Sequence, residues 1–189
     1  MPILGVIASS KLTAVPNSYE SIQTTTLTGN QTTITFSSIP ATFTHLQLRI
    51  FARTNRTGND FANLLIRFNN DTGSNYVYHD LFADGATVTA SGTATQTSIT
   101  ANRLTGPTAT ANVFGAIIVD VLDYTSTNKN KTIRALGGAD NNGSGALSFS
   151  SGLYFATPVA INRIDLTTIA GTFDFVQYSS FALYGIKGA

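Results

Sequence analysis

The chain contains no cysteine and no tryptophan, a single methionine and only two histidines. The missing cysteine excludes disulfides and thiolate metal sites, so stability must come from packing and association. Charge is also scarce: 11% of residues carry it, and the formal net charge is +1. The arginines fall singly along the chain, at Arg49, Arg53, Arg56, Arg67, Arg103, Arg134 and Arg163. No basic face or cationic tail therefore supports nucleic-acid binding. No apolar run approaches the length that crosses a bilayer. The opening Met1–Ser10 is apolar but lacks a basic flank, and it predicts neither a signal peptide nor an anchor. The expectation is a soluble protein made in a cytoplasm, with no membrane partner. Helical periodicity is missing as well, and so is the short repeat that a β-helix requires.

What the chain does have is threonine, serine and asparagine in quantity, which suit strands and tight turns. Its 189 residues fit one large domain with a substantial core. The cleanest pattern is His45–Phe51, where Leu46, Leu48 and Ile50 alternate with His45, Gln47 and Arg49. That is a half-buried antiparallel strand. Thr32–Phe36 and Asn63–Phe68 repeat the pattern, with Ile34 and Phe36, then Leu64, Ile66 and Phe68, facing inward. Further strands are expected at Tyr19–Leu27, Tyr76–Leu81, Ile99–Leu104 and Thr132–Leu136, with Phe114–Leu122, the most apolar stretch, as a central strand. Gly145–Phe155, Ile161–Ile169 and Phe173–Ile186 complete the set. Turns are signalled by Pro40, by Asn69-Asn70-Asp71-Thr72-Gly73 and by the Asn142-Gly143 pair. Ala83–Thr97 is built of small residues and predicts an exposed loop or hairpin tip. Many short strands between turn residues indicate an all-β fold, an antiparallel β-sandwich with the jelly roll as first choice.

Chemistry is sparse. His79-Asp80 reads as a surface imidazole beside a surface carboxylate, since no further ligands converge on it. The turn acids around Asp71 and Asp140 offer oxygen atoms but no EF-hand spacing, and turn formation explains them as well. Gly143-Ser144-Gly145 is no nucleophile elbow, and Gly137-Gly138 leads into no phosphate loop. Asp120 and Asp123 could pair as in a glycosidase, but a chain without tryptophan lacks the usual walls of a sugar groove. The expectation is no enzyme, no cofactor and no metal. Tyrosines carry the remaining binding signal: Tyr76 and Tyr78 share one face of a strand, and Tyr178 and Tyr184 share another.

Several segments, in order, carry a resemblance. They are Phe36-Ser37-Ser38-Ile39-Pro40 leading to His45-Leu46-Gln47-Leu48, Ile66-Arg67-Phe68-Asn69, and Asp120-Val121-Leu122-Asp123-Tyr124. Ser150-Ser151-Gly152-Leu153-Tyr154, Ala160–Ile164 and the closing Phe181-Ala182-Leu183-Tyr184-Gly185-Ile186-Lys187 complete it. From about Thr32 onward the chain resembles small all-β virion proteins of cyanophages and other aquatic tailed phages. The resemblance implies a bacteriophage structural protein located in the virion: a capsid decoration (cement) protein, or alternatively a tail-fibre or adhesin module touching the host surface. It transfers no catalytic residue. A cellular carbohydrate-binding module is disfavoured by the absence of tryptophan and of a signal peptide.

The expected organisation is an N-terminal docking arm, residues 1–17, followed by one jelly-roll sandwich, residues 18–189. Ile3, Leu4, Val6 and Ile7 are the expected arm contacts, and Tyr76, Tyr78 and Tyr184 the expected partner contacts on the sandwich. The expected partners are two further copies in a homotrimer, the major capsid protein or other virion proteins, and, for an adhesin, a host surface glycan or protein.

Overall fold

Residues 18–141 and 145–188 are described by the computed structural model. The docking arm at Met1–Asn17 and the turn at Asn142-Gly143 lie outside them. The first half of the chain forms β1 (Tyr19–Thr26), β2 (Thr33–Phe36), β3 (His45–Ala52), β4 (Phe61–Phe68), β5 (Tyr76–Ala83) and β6 (Val88–Gln96), with period-two burial clearest in β2, β3 and β4. The second half adds β7 (Ile99–Thr105), β8 (Gly115–Val121), β9 (Lys131–Asp140), β10 (Gly145–Tyr154), β11 (Ile164–Thr167) and β12 (Ser180–Ile186). A single 3₁₀ turn, Ile169–Gly171, is the one helical element among the described residues.

These strands form two antiparallel sheets in a sandwich-like arrangement. The larger has eight strands in the order β1-β12-β3-β8-β9-β10-β5-β6, and the smaller has four in the order β2-β11-β4-β7. The core lies between them. Ile34, Phe36, Leu64, Ile66, Phe68 and Leu166 come from the small sheet, and Leu46, Leu48, Val119, Val121, Phe181 and Leu183 from the large one. The inward residues expected of the His45, Thr32 and Asn63 segments are all buried. At the turn after β4, Asn69 and Asn70 adopt φ of 52° and 57°, a left-handed conformation that asparagine tolerates. Asp71 then closes an Asx turn, its Oδ1 accepting from the Gly73 amide at 2.7 Å.

One segment departs from expectation, and in another the facing of side chains is set from outside the strand. Ala83–Thr97 is mostly a strand: β6 pairs along β5 from Ala83↔Val88 to Tyr76↔Gln96. As an edge strand exposed on both faces it needs no large apolar residue, because backbone pairing alone holds it. In β10 the alternation is inverted: Ser148 and Ser150 point inward, buried, while Leu147 and Phe149 point out. The edge strand β7 packs against β10 and fixes this register. The Ser150 hydroxyl donates to the Ala101 carbonyl, and Asn102 Nδ2 donates to the Ser148 carbonyl at 3.0 Å. Gly152 admits β7 more closely still, since a Cβ there would lie 2.6 Å from Ile99 Cγ2.

Candidate interaction surface

The outward face of the eight-stranded sheet is read most directly from its register. In one row Arg49 lies opposite Ile118, Ile118 opposite Leu136, Leu136 opposite Phe149, and Phe149 opposite Leu81. The adjacent row runs Phe51, Ala116, Gly138, Leu147, Ala83, Val88. Arg49 is the only charged residue in these two rows. Seven of their large apolar side chains, Phe51, Leu81, Val88, Ile118, Leu136, Leu147 and Phe149, are 43–66% exposed. Small residues beside them leave a shallow trough of about 810 Å³, floored by Ala116, Ala182 and Ser180 and flanked by Phe51, Ile118 and Leu136. Apolar area this contiguous is uncommon on the surface of a monomeric protein.

A polar border runs along one side. Gln47, Asp120, Arg134 and Ser151 form the next row. Gln47 Nε2 donates to Asp120 Oδ1 at 2.9 Å, and Arg134 Nη2 stands 3.8 Å from Asp120 Oδ2. Tyr184 belongs here, stacked on Tyr19 at 4.8 Å between centroids. The Arg49 guanidinium lies 5.3 Å and 5.5 Å from those two ring centres. The Tyr19 hydroxyl donates to Gln47 Oε1 at 2.6 Å. Partial burial raises the Tyr19 phenol above its ordinary range, and the Arg49 charge only partly offsets this. Charged and amide groups thus rim the apolar rows, as in the anatomy of protein interfaces.

Of the three sequence-predicted tyrosines, Tyr184 lies on this face, Tyr76 is buried in the core and Tyr78 is partly buried against it. Tyr76 and Tyr78 do share a face, but it is the inner one. Tyr76 is 0% exposed and stacks on Tyr154 at 4.8 Å, so it belongs to the core and offers no surface on this face. Its hydroxyl donates to the carbonyls of Asp71 and Phe68 at 3.0 Å and 3.3 Å, and burial pushes its pKa up to about 12. Tyr78 is half-buried against the core. Tyr178 precedes β12 at φ 71°, so strand periodicity does not relate it to Tyr184. The arm residues Ile3, Leu4, Val6 and Ile7 lie outside the described residues.

Ile118, Leu136, Phe149, Leu81 and Leu147 were not singled out from sequence, although signals existed. Ile117-Ile118-Val119 is apolar on both faces of a strand, which implies cover on both.

The acid and histidine candidates are engaged structurally. Asp80 is buried, a correction to its expected surface position: Ser91 donates to it, and Arg103 Nη2 pairs with it at 3.2 Å. His79 points to the opposite face, over Gly92. His45 Nδ1 accepts from the Asp123 amide at 2.9 Å. The Asp123 carboxyl is held below its ordinary range by the hydrogen bond from Lys129 Nζ at 2.7 Å. Asp71 Oδ2 accepts from Asn75 Nδ2 at 2.8 Å and from the Tyr154 hydroxyl at 2.9 Å. Among the described residues no three His, Asp or Glu side chains converge on a metal position.

A second concavity opens where the large sheet overhangs the small one. The β5–β6 hairpin projects past β7, and Phe82 with Thr89 floors a cleft of about 690 Å³ against Phe61 and Arg103. Neither a protein-family model, nor a curated protein, nor a solved structure matches this chain.

Proposed function

We propose that the chain is a structural protein of a bacteriophage particle, a capsid decoration protein of jelly-roll type that works as a homotrimer. The observation that carries the proposal is the apolar outer face of the large sheet, with β10 turned so that Leu147 and Phe149 face out and serines face in. A sandwich that spends its large side chains this way stands to bury that face against another protein. Eight strands at ~4.8 Å spacing and ~24 Å of strand length give a face of roughly 900 Å², close to the ~800 Å² per partner of a standard interface. In the proposed assembly, three such faces turn toward a common axis and cover one another. A cyclic arrangement leaves the sheet edges and loops free for the capsid. The arm at residues 1–17 is the capsid contact, its three copies acting together. The ordered motifs from Thr32 to Lys187 support the assignment to a virion.

Quantitative mass spectrometry of purified particles of the encoding phage tests this. Hundreds of copies, in simple ratio to the major capsid protein, are expected; absence from particles overturns it. A few dozen copies or fewer would move the protein to the tail, as a fibre or adhesin module touching the host surface. The cleft beneath the β5–β6 hairpin is the observation that favours this second reading.

A further inference from the structure

We propose that the cleft between β7 and the β5–β6 hairpin is a binding site for a neutral saccharide. It arises from a mismatch of sheet widths. The small sheet ends at β7, which covers the inward side of β5 as far as the Arg103–Asp80 pair, while β6 continues beyond it with no opposing strand among the described residues. The floor is aromatic: the rings of Phe61 and Phe82 meet edge to face, 6.1 Å between centroids and 70° between planes. Both are only partly buried. Arg103 lies 4.5 Å from the centre of the Phe82 ring and holds it in place.

The charges decide what kind of ligand fits. Arg103 is already committed, with Nη1 donating to Asn63 Oδ1 at 2.6 Å and Nη2 pairing with Asp80 at 3.2 Å. With Arg103 spent on Asp80, and the Asp84 carboxylate accepting from the Ala86 and Thr87 amides, the charged lining that remains is Arg56 facing Asp60. A phosphate or carboxylate ligand would find no unspent cationic pair, and a cation would meet Arg56. What remains on the rim is uncharged capacity of both kinds. Among the described residues no hydrogen bond engages the side chains of Asn59, Asp60 or Thr89, and Arg56 commits only Nη1, to the Phe61 carbonyl at 3.1 Å. An aromatic floor beneath a ring of free donors and acceptors matches a pyranose, which has an apolar C–H face and hydroxyls around its edge. The volume of about 690 Å³ lies within the usual range of ligand sites. The site is independent of the apolar outer face and can exist whether the protein sits on a capsid or a tail.

The test is a ¹H–¹⁵N NMR titration of the full chain with the methyl glycosides of glucose, galactose, mannose and N-acetylglucosamine. Each is taken to about 20 mM, because a monosaccharide contact of this size is a millimolar one. Methyl glucuronide and glucosamine serve as charged comparators. At least one neutral glycoside is expected to shift the amides of residues 59–63 and 82–89 and to bind more tightly than either comparator. Asp60→Ala and Asn59→Ala should each weaken it by about tenfold, the loss of one good hydrogen bond. Neither should move the thermal midpoint, because only the backbone carbonyl of Asp60 serves the fold, accepting from the Gly106 amide at 2.6 Å. The proposal is overturned if no neutral glycoside shifts these amides, if a charged comparator binds best, or if both variants bind as tightly as the parent.

Discussion

Replacing Ile118, Leu136 and Phe149 together by threonine strikes the centre of the apolar row and keeps a residue type that favours strands. The three side chains are 43%, 49% and 51% exposed, so about half of each has still to be removed from water. Complete burial of such a side chain is worth about 1.5–3 kcal/mol, which leaves roughly 1 kcal/mol each, or ~3 kcal/mol per copy, for association to gain. At about 1.4 kcal/mol per factor of ten, the triple variant should associate about a hundredfold more weakly per contact. Sedimentation velocity across about 1–100 μM reads this, a range that brackets the micromolar association expected of a moderate interface. The parent should sediment as an oligomer and the variant as a monomer. The halves of these side chains already buried in the monomer are lost too, so folding stability falls alongside. Leu166→Ala controls for that: fully buried in the small sheet, it should cost about 2–5 kcal/mol of stability while leaving association intact. A parent that is monomeric throughout the range would refute the reasoning. So would a triple variant with unchanged mass, or a Leu166→Ala variant that dissociates equally.

Other outcomes follow from the interior. Tyr154→Phe removes the hydroxyl that donates to Asp71 Oδ2 at 2.9 Å, a bond to a carboxylate worth about 1.5–3 kcal/mol, readable as a lower urea midpoint at pH 7. Burial tends to raise the Asp71 carboxyl, but donors from Asn75, Gly73 and Tyr154 outweigh it and hold the group below its ordinary range. Its contribution is therefore complete above the unfolded carboxyl value of about 3.9 and is lost as pH falls through the lower folded value. Urea midpoints measured from pH 6 down to pH 2 should drop less steeply in Asp71→Asn than in the parent, and equal slopes would contradict this. Gly152→Ala places a Cβ 2.6 Å from Ile99 Cγ2 and 3.0 Å from Ile133 Cγ1, and should destabilise by about 1–3 kcal/mol. Gly29→Ala, with nothing within 4 Å, should unfold at the parent's denaturant concentration.

How much was legible in sequence depended on whether a residue's role was set locally. The alternation in β3 announced both the strand and its buried face, and Leu46, Leu48 and Ile50 are buried as their spacing requires. β6 was invisible because period-two burial is the signal and this strand buries almost nothing; its partner β5 makes it a strand. Tyr76 could be placed on a face but not on the correct side of the molecule. Its stacking on Tyr154 joins residues far apart in the chain, which no local pattern encodes. The outer apolar rows were hardest to see. Local alternation in β10 favoured Leu147 and Phe149 as core, and only the approach of β7, with its bonds to Ser148 and Ser150, reverses that choice. The overhang that forms the cleft follows from unequal numbers of strands in the two sheets, a property of topology and not of any segment.

The place of β12 bears on how the molecule is made. It follows the other described strands along the chain, yet it lies inside the large sheet, pairing with β1 on one side and β3 on the other. Until it leaves the ribosome, β1 has no neighbour in that sheet and the inner edge of β3 stands open. The small sheet faces the same wait, because β2 reaches β4 only through β11. Neither sheet can therefore close before β11 and β12 have been made, and folding is late and concerted. A chain cut short before Ser180 would display two bare strand edges beside an apolar face. Such a fragment should go to aggregates or proteolysis.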